Sequence, residues 1–541
     1  MKKYLLFITL LGTQLANAQK LTKEDEKTAK SLKSSVGYLA DDKLEGRRTG
    51  TAGEKLAYEF IAKQFKKSGL APVGDNGTYI QPFEVKEGKE LKEGTFFKIG
   101  DKSLVLNEDY YPLPYSATGS GNFAKSGKKN IYLLEINALI DQNKDNPHFD
   151  LKESLLTEIK EKEKSGVDII FLSNSEAKKE EIGYDDKDKT PQVGIPLIYL
   201  TAEGLKKYLA AERDLVNLSY NIVTGPKVRE GHNVAGFVNN NAATTIVLGA
   251  HYDHLGYGED HNSLYIGSTK MIHNGADDNA SGTAALIELG KWTKTSAPKQ
   301  FNYLLVAFSG EELGLYGSKY FADHSPVDLK NVNYMVNMDM VGRLNDSTRG
   351  LTIGGYGTSP LWGELIKTED PYFKIKIDSA GSGPSDHTSF YKKDIPVLFF
   401  FTGTHSDYHK PSDDAEKINI PGEIAIINYI KNVITATAGK DKLAFSKTRE
   451  ASMGKNTFKV SLGIMPDYTF GGDGVLVDGV SENRPAQKAG IKTGDILIQL
   501  GDHPFNDVQS YMGALNKFNK GDTTTVKLKR GKEEISLQIT F

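Results

Sequence analysis

The sequence predicts an α/β protein whose mostly parallel or mixed sheet is covered by helices on both faces, with an inserted α/β module and a C-terminal β-rich unit. The first observation is a series of continuous apolar runs of strand length between residues 230 and 440. The second is the helical segments between these runs, such as residues 283–292. Continuously apolar strands are typical of a sheet that is buried on both faces.

The first eighteen residues are typical of an export signal. Lys2 and Lys3 precede an apolar stretch at 4–15, and residues 16–18 give a small-x-small cleavage site. The stretch is shorter than the roughly 20 apolar residues of a membrane helix, and no later run approaches that length. We therefore expect an exported protein, periplasmic or secreted, that begins at Gln19 and has no membrane span.

Residues 19–100 are predicted to be the first part of the principal domain. Thr51-Ala52-Gly53-Glu54 has the form of a capping box at a helix N-terminus. Apolar side chains follow at helical spacing until Gly69, at Leu56, Phe60, Ile61 and Phe65. This pattern indicates an amphipathic helix that packs on a core.

Residues 101–225 are predicted to be the inserted α/β module. Short apolar runs at 131–134, 167–172 and 195–200 are separated there by charged segments. Lysine and glutamate are mixed at 160–164, which is the pattern of a solvated helix face.

Residues 226–440 are predicted to complete the principal domain, and residues 450–541 to form the separate C-terminal unit. The continuous apolar runs of the principal domain are 246–250, 303–308, 334–338 and 395–401. Open sheets of this kind bind ligands at the carboxyl ends of their strands. The C-terminal unit has short strands with glycine turns.

Composition narrows the classes of function. A chain of 541 residues exceeds what one core normally supports, so we expect two to four domains. The formal net charge of −3 makes nucleic acid a poor partner. Because cysteine is absent, thiolate chemistry and cysteine zinc sites are excluded, and any metal must be bound by His, Asp and Glu.

The predicted strands of the principal domain share one feature, since acids or histidines follow each of them. The segments are His251-Tyr252-Asp253, Ser309-Gly310-Glu311-Glu312, Asp339, and His405 with Tyr408-His409, together with Asp277-Asp278 before a predicted helix. Alone, each is more often a solvated turn or a helix cap. Together they place oxygen and imidazole groups at one edge of one sheet, where their charge would be uncompensated without cations.

Two histidines and three carboxylates are ligands that suit zinc. One carboxylate can bridge two ions that lie about 3.5–4 Å apart. A spare glutamate must remain off the metal to move protons. The adjacent pair Glu311-Glu312 supplies one group for each of these roles.

Six segments resemble the ordered motifs of the di-zinc aminopeptidase family, which includes bacterial leucyl aminopeptidases. They are HYDHLG at 251, GADDNASG at 275, SGEELGLYGS at 309, NMDMVG at 337, PSDHTSF at 384 and SDYHKPSDD at 406. LEGRRTGTAGEKLAYEFIAKQF at 44 resembles the start of the family's catalytic domain. The resemblance covers about residues 35–100 and 226–440 and implies the zinc exopeptidase fold.

The resemblance also implies a ligand set for two zinc ions. His251 and Asp339 would bind one ion, and Glu312 and His409 would bind the other. Asp278 would bridge both ions, because the bridging acid of the family directly precedes its Asn-x-Ser-Gly segment.

Further roles come from the same resemblance. Glu311 matches the general base, and Tyr408 is similar to a tyrosine that donates to the oxyanion in some members. Asp253 is similar to the acid that orients the first histidine ligand, although a loop cap is the alternative. His387 either touches substrate or hydrogen-bonds within its loop. No role is assigned to His254, His261 or His273.

The two flanking modules carry resemblances of their own. The insert, with VDIIFLSNS at 167 and GIPLIYLTAEG at 194, resembles a protease-associated domain that could wall the cleft and restrict substrate size. The C-terminal unit resembles a PDZ domain, through SLGIMPDY at 461, PAQKAGIKTGDILIQLG at 485 and a groove helix at 507–516. Amides of Leu462, Gly463 and Ile464 would then capture the carboxylate of a C-terminal peptide ligand. The alternative is a module that only stabilises or spaces the enzyme.

The prediction is therefore a zinc-dependent aminopeptidase that acts on peptides with a free N-terminus. Carboxypeptidases and glutaminyl cyclases share the implied fold and stay open as alternatives, and the cyclases use one zinc. A non-catalytic receptor or scaffold is the alternative from another class, because the transferrin receptor resembles this fold. The complete set of ligand positions with a general base favours catalysis. The sequence contains neither a Gly-rich phosphate loop nor a G-x-S-x-G elbow.

Overall fold

The computed structural model describes residues 22–123, 131–144, 149–174, 184–185, 188, 190–208, 217–448, 460–466, 473–480, 484–506 and 508–541. The predicted export signal and Asp507 lie outside the described residues. The chain divides into two compact units, one with residues up to Phe83 and from Glu230 onward, the other Glu84–Arg229. No helix among the described residues is long and apolar enough to cross a membrane.

The helices are α1 Lys23–Leu39, α2 Ala52–Lys67, α3 Ile136–Gln142, α4 Leu151–Lys164, α5 Ala202–Tyr208, α6 Gly282–Thr295, α7 Tyr316–Asp323, α8 Trp362–Leu365, α9 His387–Tyr391, α10 Ile420–Ala436, α11 Pro485–Ala489 and α12 Val508–Leu515. Short helical turns lie at Asp42–Arg47, Asp75–Gly77, Ala276–Ser281, Leu329–Asn331, Tyr356–Thr358 and Ala415–Lys417.

The strands are β1 Ala71–Pro72, β2 Ile80–Leu91, β3 Phe96–Ile99, β4 Lys102–Ser103, β5 Tyr110–Pro112, β6 Gly119–Phe123, β7 Ile131–Glu135, β8 Ile169–Ser173, β9 Leu197–Leu200, β10 Leu218–Ile222, β11 Thr224–Val238, β12 Thr244–His251, β13 Phe301–Phe308, β14 Val332–Met338, β15 Gly350–Gly354, β16 Lys374–Ile377, β17 Val397–Phe401, β18 Ile464–Pro466, β19 Val475–Val480, β20 Ile496–Leu500, β21 His503–Pro504, β22 Thr523–Arg530 and β23 Glu533–Thr540.

A mixed sheet forms the centre of the first unit, with the strand order β1-β11-β13-β12-β14-β17-β15-β16 and β2 paired to β11. Its middle strands, β13, β12, β14 and β17, are mutually parallel, whereas β11 and β15 run antiparallel to their neighbours β13 and β17. After β12 the chain forms β13 on one side of β12, and it then crosses over to form β14 on the other side of β12. This reversal of strand order is where open α/β sheets bind ligands.

The strands of this sheet are buried because helices cover it. Every residue of β13 and β14 is buried, and α6 between β12 and β13 is buried along most of its length. The main apolar core joins α1, α2, α6 and α10 to the sheet, and a second cluster that includes residues of α7 and α9 packs against sheet residues. The structure confirms the predicted α/β class with a helix-covered, mixed sheet.

Helix α2 follows its predicted start closely. Thr51 is the N-cap residue, and its side chain accepts a hydrogen bond from the Glu54 backbone N–H at 3.4 Å. The Glu54 carboxylate accepts from the backbone N–H of Gly50 at 2.8 Å. The buried face contains Ala57, whereas Leu56, which the helical spacing assigned to the core, is 37% exposed.

The second unit contains two four-stranded sheets, with the orders β4-β3-β10-β6 and β5-β9-β8-β7. Strands β7, β8 and β9 are parallel, and α4 buries only Leu155 and Ile159, so the mixed-charge segment at 160–164 lies on a largely solvated helix. The sequence places the insert at 101–225, and the compact unit comprises Glu84–Arg229.

The C-terminal region has a core of its own. Its strands follow the order β18-β19-β20-β22-β23, with β21 paired to β20, and the pairs are antiparallel. Helices α11 and α12 complete the unit, and its apolar side chains cluster around Leu462, Leu497 and Val526.

Candidate metal centre and active site

The parallel strands bring their carboxyl ends to one edge of the central sheet. His251 is the last residue of β12, Asp339 directly follows β14, and the Glu311-Glu312 pair follows β13. Asp278 lies in the helical turn before α6, and His409 lies in the loop after β17. Strands that are parallel and in register put these segments side by side, although the segments are far apart in sequence.

One group of ligand atoms surrounds the His251 ring. Its Nε2 atom lies 3.4 Å from Asp278 Oδ1 and 3.3 Å from Asp339 Oδ1. His251 is 1% exposed, and these three residues together could hold a metal ion. The outer oxygen of Asp339, Oδ2, accepts a hydrogen bond from Ser385 Oγ at 2.7 Å.

A second group surrounds the His409 ring. Its Nε2 atom lies 3.2 Å from Asp278 Oδ2 and 3.3 Å from Glu312 Oε2. The other ring nitrogen, Nδ1, is 2.9 Å from the backbone oxygen of Asn262, which fixes Nδ1 as the donor and leaves Nε2 as the ligand atom.

Asp278 faces both histidines, with Oδ1 toward His251 and Oδ2 toward His409. Its loop is fixed by Asp413, whose Oδ2 accepts hydrogen bonds from the backbone N–H groups of Asp277 and Asp278 at 2.9 and 3.1 Å. This placement gives Asp278 the geometry of a bridging carboxylate.

The spacing of the donor atoms fits zinc. Imidazole and carboxylate ligands at about 2.0–2.2 Å from a tetrahedral zinc ion lie about 3.3 Å from one another. The contacts of His251 and His409 with the three carboxylates span 3.2–3.4 Å. These residues could therefore hold zinc with little rearrangement.

The electrostatics of the centre favour cations. Burial lowers the pKa values of His251 and His409, but the surrounding carboxylates outweigh burial and raise both well above the usual range. Burial raises the pKa of Asp278, but hydrogen bonds from the two histidines outweigh it and lower that pKa well below its ordinary value. The same carboxylates that stabilise imidazolium would stabilise a metal cation.

Glu311 and Glu312 have different surroundings. For Glu312, burial raises the pKa, but His409 and the hydrogen bond from His254 together outweigh burial and lower the pKa to about 2. For Glu311, burial raises the pKa well above its ordinary value against the opposing effect of His251, and the carboxylate of Glu312 raises it further. Two groups of described residues have ligand atoms close enough to hold a metal ion: His251, Asp278 and Asp339, and His254, Asp278 and Glu312. Glu311 belongs to neither of these groups.

Asp253 connects three parts of the site. Its Oδ1 accepts from the Glu311 backbone N–H at 3.2 Å, and its Oδ2 accepts from Thr49 Oγ1 at 3.0 Å. His251 Nδ1 lies 3.2 Å from the backbone oxygen of Asp253 and 3.6 Å from Oδ1. The carbonyl is therefore the nearer acceptor for His251, while the carboxylate holds the backbone of Glu311.

Tyr408 lies against the second ligand group. Its ring stacks on His409, with ring centroids 3.9 Å apart and an interplanar angle of 24°. Burial raises the pKa of Tyr408 well above its usual value, and the carboxylate of Asp278 adds to this effect. The hydroxyl therefore stays protonated and can donate a hydrogen bond.

His387 is a packed side chain of α9. Its ring stacks on Phe399 with centroids 4.6 Å apart, and burial lowers its pKa to about 3, so the ring is neutral. His273 contacts Ser263 Oγ through Nε2 at 2.6 Å, and His261 adopts a positive φ of 62°.

Several residues of the site were not predicted from the sequence, among them His254, Ser385 and Arg47. His254 Nδ1 lies 2.8 Å from Glu312 Oε1, and Ser385 holds Asp339. The fully buried guanidinium of Arg47 donates to the backbone oxygens of Tyr252, Asn274 and Gly275 at 2.6–3.0 Å. His254 and Ser385 were visible only as members of the quoted motifs, and Arg47 as part of LEGRRTG.

The predicted carboxylate loop of the C-terminal unit contains Leu462, Gly463 and Ile464. Leu462 is fully buried, and Gly463 has a positive φ of 77°. A Cβ atom at Gly463 would lie 2.2 Å from Arg484 Cβ, which requires glycine there. The backbone N–H of Gly463 donates to Ser461 Oγ at 3.1 Å.

Two parts of the chain match models of known protein families. Residues 233–434 match the model of peptidase family M28, and residues 448–541 match a PDZ domain model. The chain is 25% identical over 464 residues to aminopeptidase YwaD of Bacillus subtilis (strain 168), which covers 77% of this chain and 90% of that relative. It is 31% identical over 168 residues to leupeptin-inactivating enzyme 1 of Streptomyces exfoliatus, which covers 30% of this chain and 37% of that relative.

A solved structure, BSAP, a zinc aminopeptidase from Bacillus subtilis, is 19% identical and covers 77% of this chain and 95% of its own, with a TM-score of 0.43.

The helix-covered sheet and its paired imidazole and carboxylate groups define a metallohydrolase. The comparisons assign two domains: the chain contains a peptidase family M28 domain at residues 233–434 and a C-terminal PDZ domain at residues 448–541. Both resemblances of the sequence, to zinc aminopeptidases and to PDZ domains, are confirmed.

Proposed function

We propose that this protein is a zinc-dependent aminopeptidase that holds two zinc ions and removes N-terminal residues from peptides. The observation that carries the proposal is Asp278, which directs one carboxylate oxygen at His251 and the other at His409. Asp339 and Glu312 each complete one group, so the residues suit a pair of ions that share one acid. The family, and the name of its relative YwaD, support aminopeptidase activity.

When bound, zinc would polarise the scissile carbonyl and lower the pKa of a water molecule. Glu311 is the proton acceptor in this proposal: it takes a proton from the attacking water and passes it to the leaving amine. Its backbone is held by Asp253 Oδ1 at 3.2 Å, which fixes the start of the side chain. The Tyr408 hydroxyl would donate to the oxygen that gains charge on the substrate carbonyl.

The alternative functions differ from an aminopeptidase in zinc content, in the cleavage of N-blocked peptides, or in the need for a general base. A glutaminyl cyclase of this fold would use one zinc, and a carboxypeptidase would act on N-blocked peptides. A receptor or scaffold would not need the general base. The presence of Glu311 beside a complete ligand set favours the aminopeptidase.

The experiment is to assay aminoacyl anilides and the same compounds with an acetylated amine, together with zinc content. We expect about two zinc equivalents per chain, inhibition by chelators, and no cleavage of acetylated substrates. Rapid internal cleavage of a blocked peptide would identify an endopeptidase instead. One tightly bound zinc in a fully active enzyme would contradict the two-ion proposal.

For the PDZ domain we propose capture of a C-terminal peptide by the amides of Leu462, Gly463 and Ile464. Strand β18 lies at the edge of its sheet, where a peptide could add as a further strand. N-acetylated fluorescent peptides with apolar C-termini should bind to the PDZ domain. The acetyl group blocks the free amine, so the peptidase site should not bind or cleave these peptides. The same peptides with an amidated C-terminus should not bind, and equal binding of both would contradict carboxylate capture.

We also propose that the chain is exported and processed before Gln19, and that residues 101–225 act as a protease-associated domain that restricts substrate size. The charged start, apolar stretch and small-x-small pattern of residues 1–18 support the first proposal, and the α/β pattern of the insert supports the second. N-terminal sequencing of the protein from periplasm and from culture medium tests the first. The ratio of activity on short peptides to activity on folded proteins tests the second.

A further inference from the structure

His254 is a buried histidine beside the second ligand group, and the ligand set proposed above does not include it. It is 2% exposed, and its Nδ1 lies 2.8 Å from Glu312 Oε1. We infer that His254 is a positioning residue, whose Nδ1–H donates to Glu312 Oε1 and so turns Glu312 Oε2 toward the metal. This inference rests on the proposed zinc site.

The distances separate a donor from a metal ligand. Ligand atoms on one tetrahedral zinc lie about 3.3 Å apart, and His409 Nε2 has that spacing from Asp278 Oδ2 and Glu312 Oε2, at 3.2 and 3.3 Å. His254 Nδ1 instead lies 2.8 Å from one acid and 3.9 Å from Asp278 Oδ2. A contact of 2.8 Å is that of a charge-assisted hydrogen bond.

The two oxygens of Glu312 therefore have separate partners. Oε2 faces His409, and Oε1 faces His254. The other terminal acid repeats this arrangement, because Asp339 directs Oδ1 at His251 and accepts from Ser385 through Oδ2. In each ligand group, one hydrogen bond to the outer oxygen prevents the carboxylate from rotating away from the metal.

The surroundings of His254 leave its ring little freedom. Its backbone N–H donates to the backbone oxygen of Arg47, and the ring meets His409 edge-on, with centroids 5.8 Å apart at 74°. A Cβ atom at Gly275 would lie 2.4 Å from Cδ2 of the ring, so glycine makes room for it. Within the described part of the chain, Nε2 is buried and has no hydrogen-bond partner.

Among the described residues, the short polar contact of the His254 ring is with the proposed ligand Glu312, so we expect the ring to act through that contact. Loss of such a partner typically lowers metal affinity roughly 10- to 100-fold. The loss should fall on one ion, because Asp339 and its partner Ser385 belong to the other group.

Two variants separate the donor from the ring. His254→Asn keeps an N–H near the position of Nδ1, whereas His254→Gln moves the donor toward the position of Nε2. The experiment titrates the metal-free full-length protein with zinc in competition with a chromophoric chelator. We expect His254→Gln to weaken one of two zinc-binding steps roughly 10- to 100-fold, and His254→Asn to change it less than about threefold. Equal losses in both variants would make His254 a ligand and overturn the inference.

A double-mutant cycle tests whether His254 acts through Glu312. In a Glu312→Ala background, His254→Gln should have little additional effect on zinc affinity, because the acceptor is absent. A loss that persists at full size in that background would contradict the inference. A general packing defect would not depend on residue 312.

The position of the proton on the His254 ring can be measured in the unsubstituted protein. In zinc-loaded protein labelled with ¹⁵N-histidine, the ring of His254 should carry its proton on Nδ1, and an Nε2–H tautomer would overturn the inference. If the wild-type protein binds no zinc, the proposed function fails. If it binds two ions and His254→Gln binds them equally well, only the positioning role fails.

Discussion

Glu311 and Glu312 are adjacent in the chain, but among the described residues only Glu312 belongs to a group that could hold a metal ion. Glu312 contacts both His254 and His409, whereas the Glu311 carboxylate lies among other acids, which helps to keep its pKa high. A cation in the centre would lower that pKa and leave a carboxylate beside the reacting water.

Substitution of the two glutamates by glutamine should therefore have different results. Glu311→Gln removes the proton acceptor and should leave zinc content near normal while turnover falls by roughly two to four orders of magnitude. Glu312→Gln should reduce the occupancy of one ion as well as the rate. Zinc by emission spectrometry beside the turnover number distinguishes them. Loss of metal in Glu311→Gln with retention in Glu312→Gln would show that the roles are reversed.

Asp278→Asn should be the most damaging ligand substitution. The two carboxylate oxygens of Asp278 face two different histidines, so the loss of one negative charge should weaken the binding of both ions. Asp339→Asn is the matched control, because Asp339 contacts only the His251 group and should weaken one ion. Metal analysis after dialysis checks this, and the idea fails if Asp278→Asn retains as much zinc as Asp339→Asn.

Among the individual residues of the candidate site, the sequence predicted those that end a strand or lie in a strong motif. His251 and Asp339 could be predicted because continuous apolar strands lead directly to them. His254 could not, because its role depends on the direction of one ring nitrogen, which sequence spacing does not fix. The role of Asp253 is similar: its carbonyl is nearer to His251 than its carboxylate is.

The loops of the centre are held together by an element from the N-terminal part of the chain. The turn Asp42–Arg47 ends in Arg47, whose guanidinium donates to the loop after β12 and to the segment before α6. It also donates to the Leu39 backbone oxygen at the end of α1. Burial lowers the pKa of Arg47 to about 10, so it remains charged at neutral pH.

Arg47→Met should destabilise the protein by about 3–5 kcal/mol, because it leaves several buried carbonyl groups without donors. Arg48→Met is the neighbouring control. Arg48 forms a two-bond pair with Asp260, at 2.7 and 2.9 Å, and its loss should cost less, about 1–2 kcal/mol. Urea unfolding of both zinc-loaded variants measures the difference. Similar losses would contradict a structural role specific to Arg47.

The ends of helices and strands were predicted best where an element is buried either on one face only or on both faces. The continuous runs gave β12, β13 and β14 within two residues of their ends, because a strand buried on both faces leaves no polar positions to obscure its limits. The antiparallel neighbour β11 was not predicted, since its first half is partly exposed and its pattern is mixed. Residue Leu56 of α2 shows the same limit for helices, as spacing alone did not define the edge of the buried face.

For the whole molecule, the charged centre predicts opposite pH responses with and without metal. The raised pKa values of His251 and His409 stabilise the metal-free fold below pH 6.5, the unfolded value, and this contribution is lost as the pH rises through the folded values. The raised pKa of Glu311 acts in the same direction. The lowered pKa of Asp278 has the reverse effect, since its contribution is lost on acidification below about pH 4.

Chelated protein should therefore lose stability as the pH rises from 6.5 toward 9, whereas zinc binding strengthens because metal replaces protons on the ligands. The increase in Tm on adding zinc should be larger at pH 8.5 than at pH 6.0. Calorimetry with chelator and with zinc measures both values. An equal increase at both pH values would show that the ligands do not exchange protons for metal.

The order in which the ligands occur along the chain has a consequence during synthesis. His251, Asp278 and Asp339 all precede β17, so a nascent polypeptide has made one whole ligand group before the loop that carries His409 leaves the ribosome. In the proposed ligand set, Asp278 belongs to that early group, and the other group lacks its last ligand, His409, until that loop is made. Under the proposed two-ion assignment, a metal ion that meets the growing chain would find the His251 group complete first, and a second ion would enter the His409 group only after translation has passed residue 409.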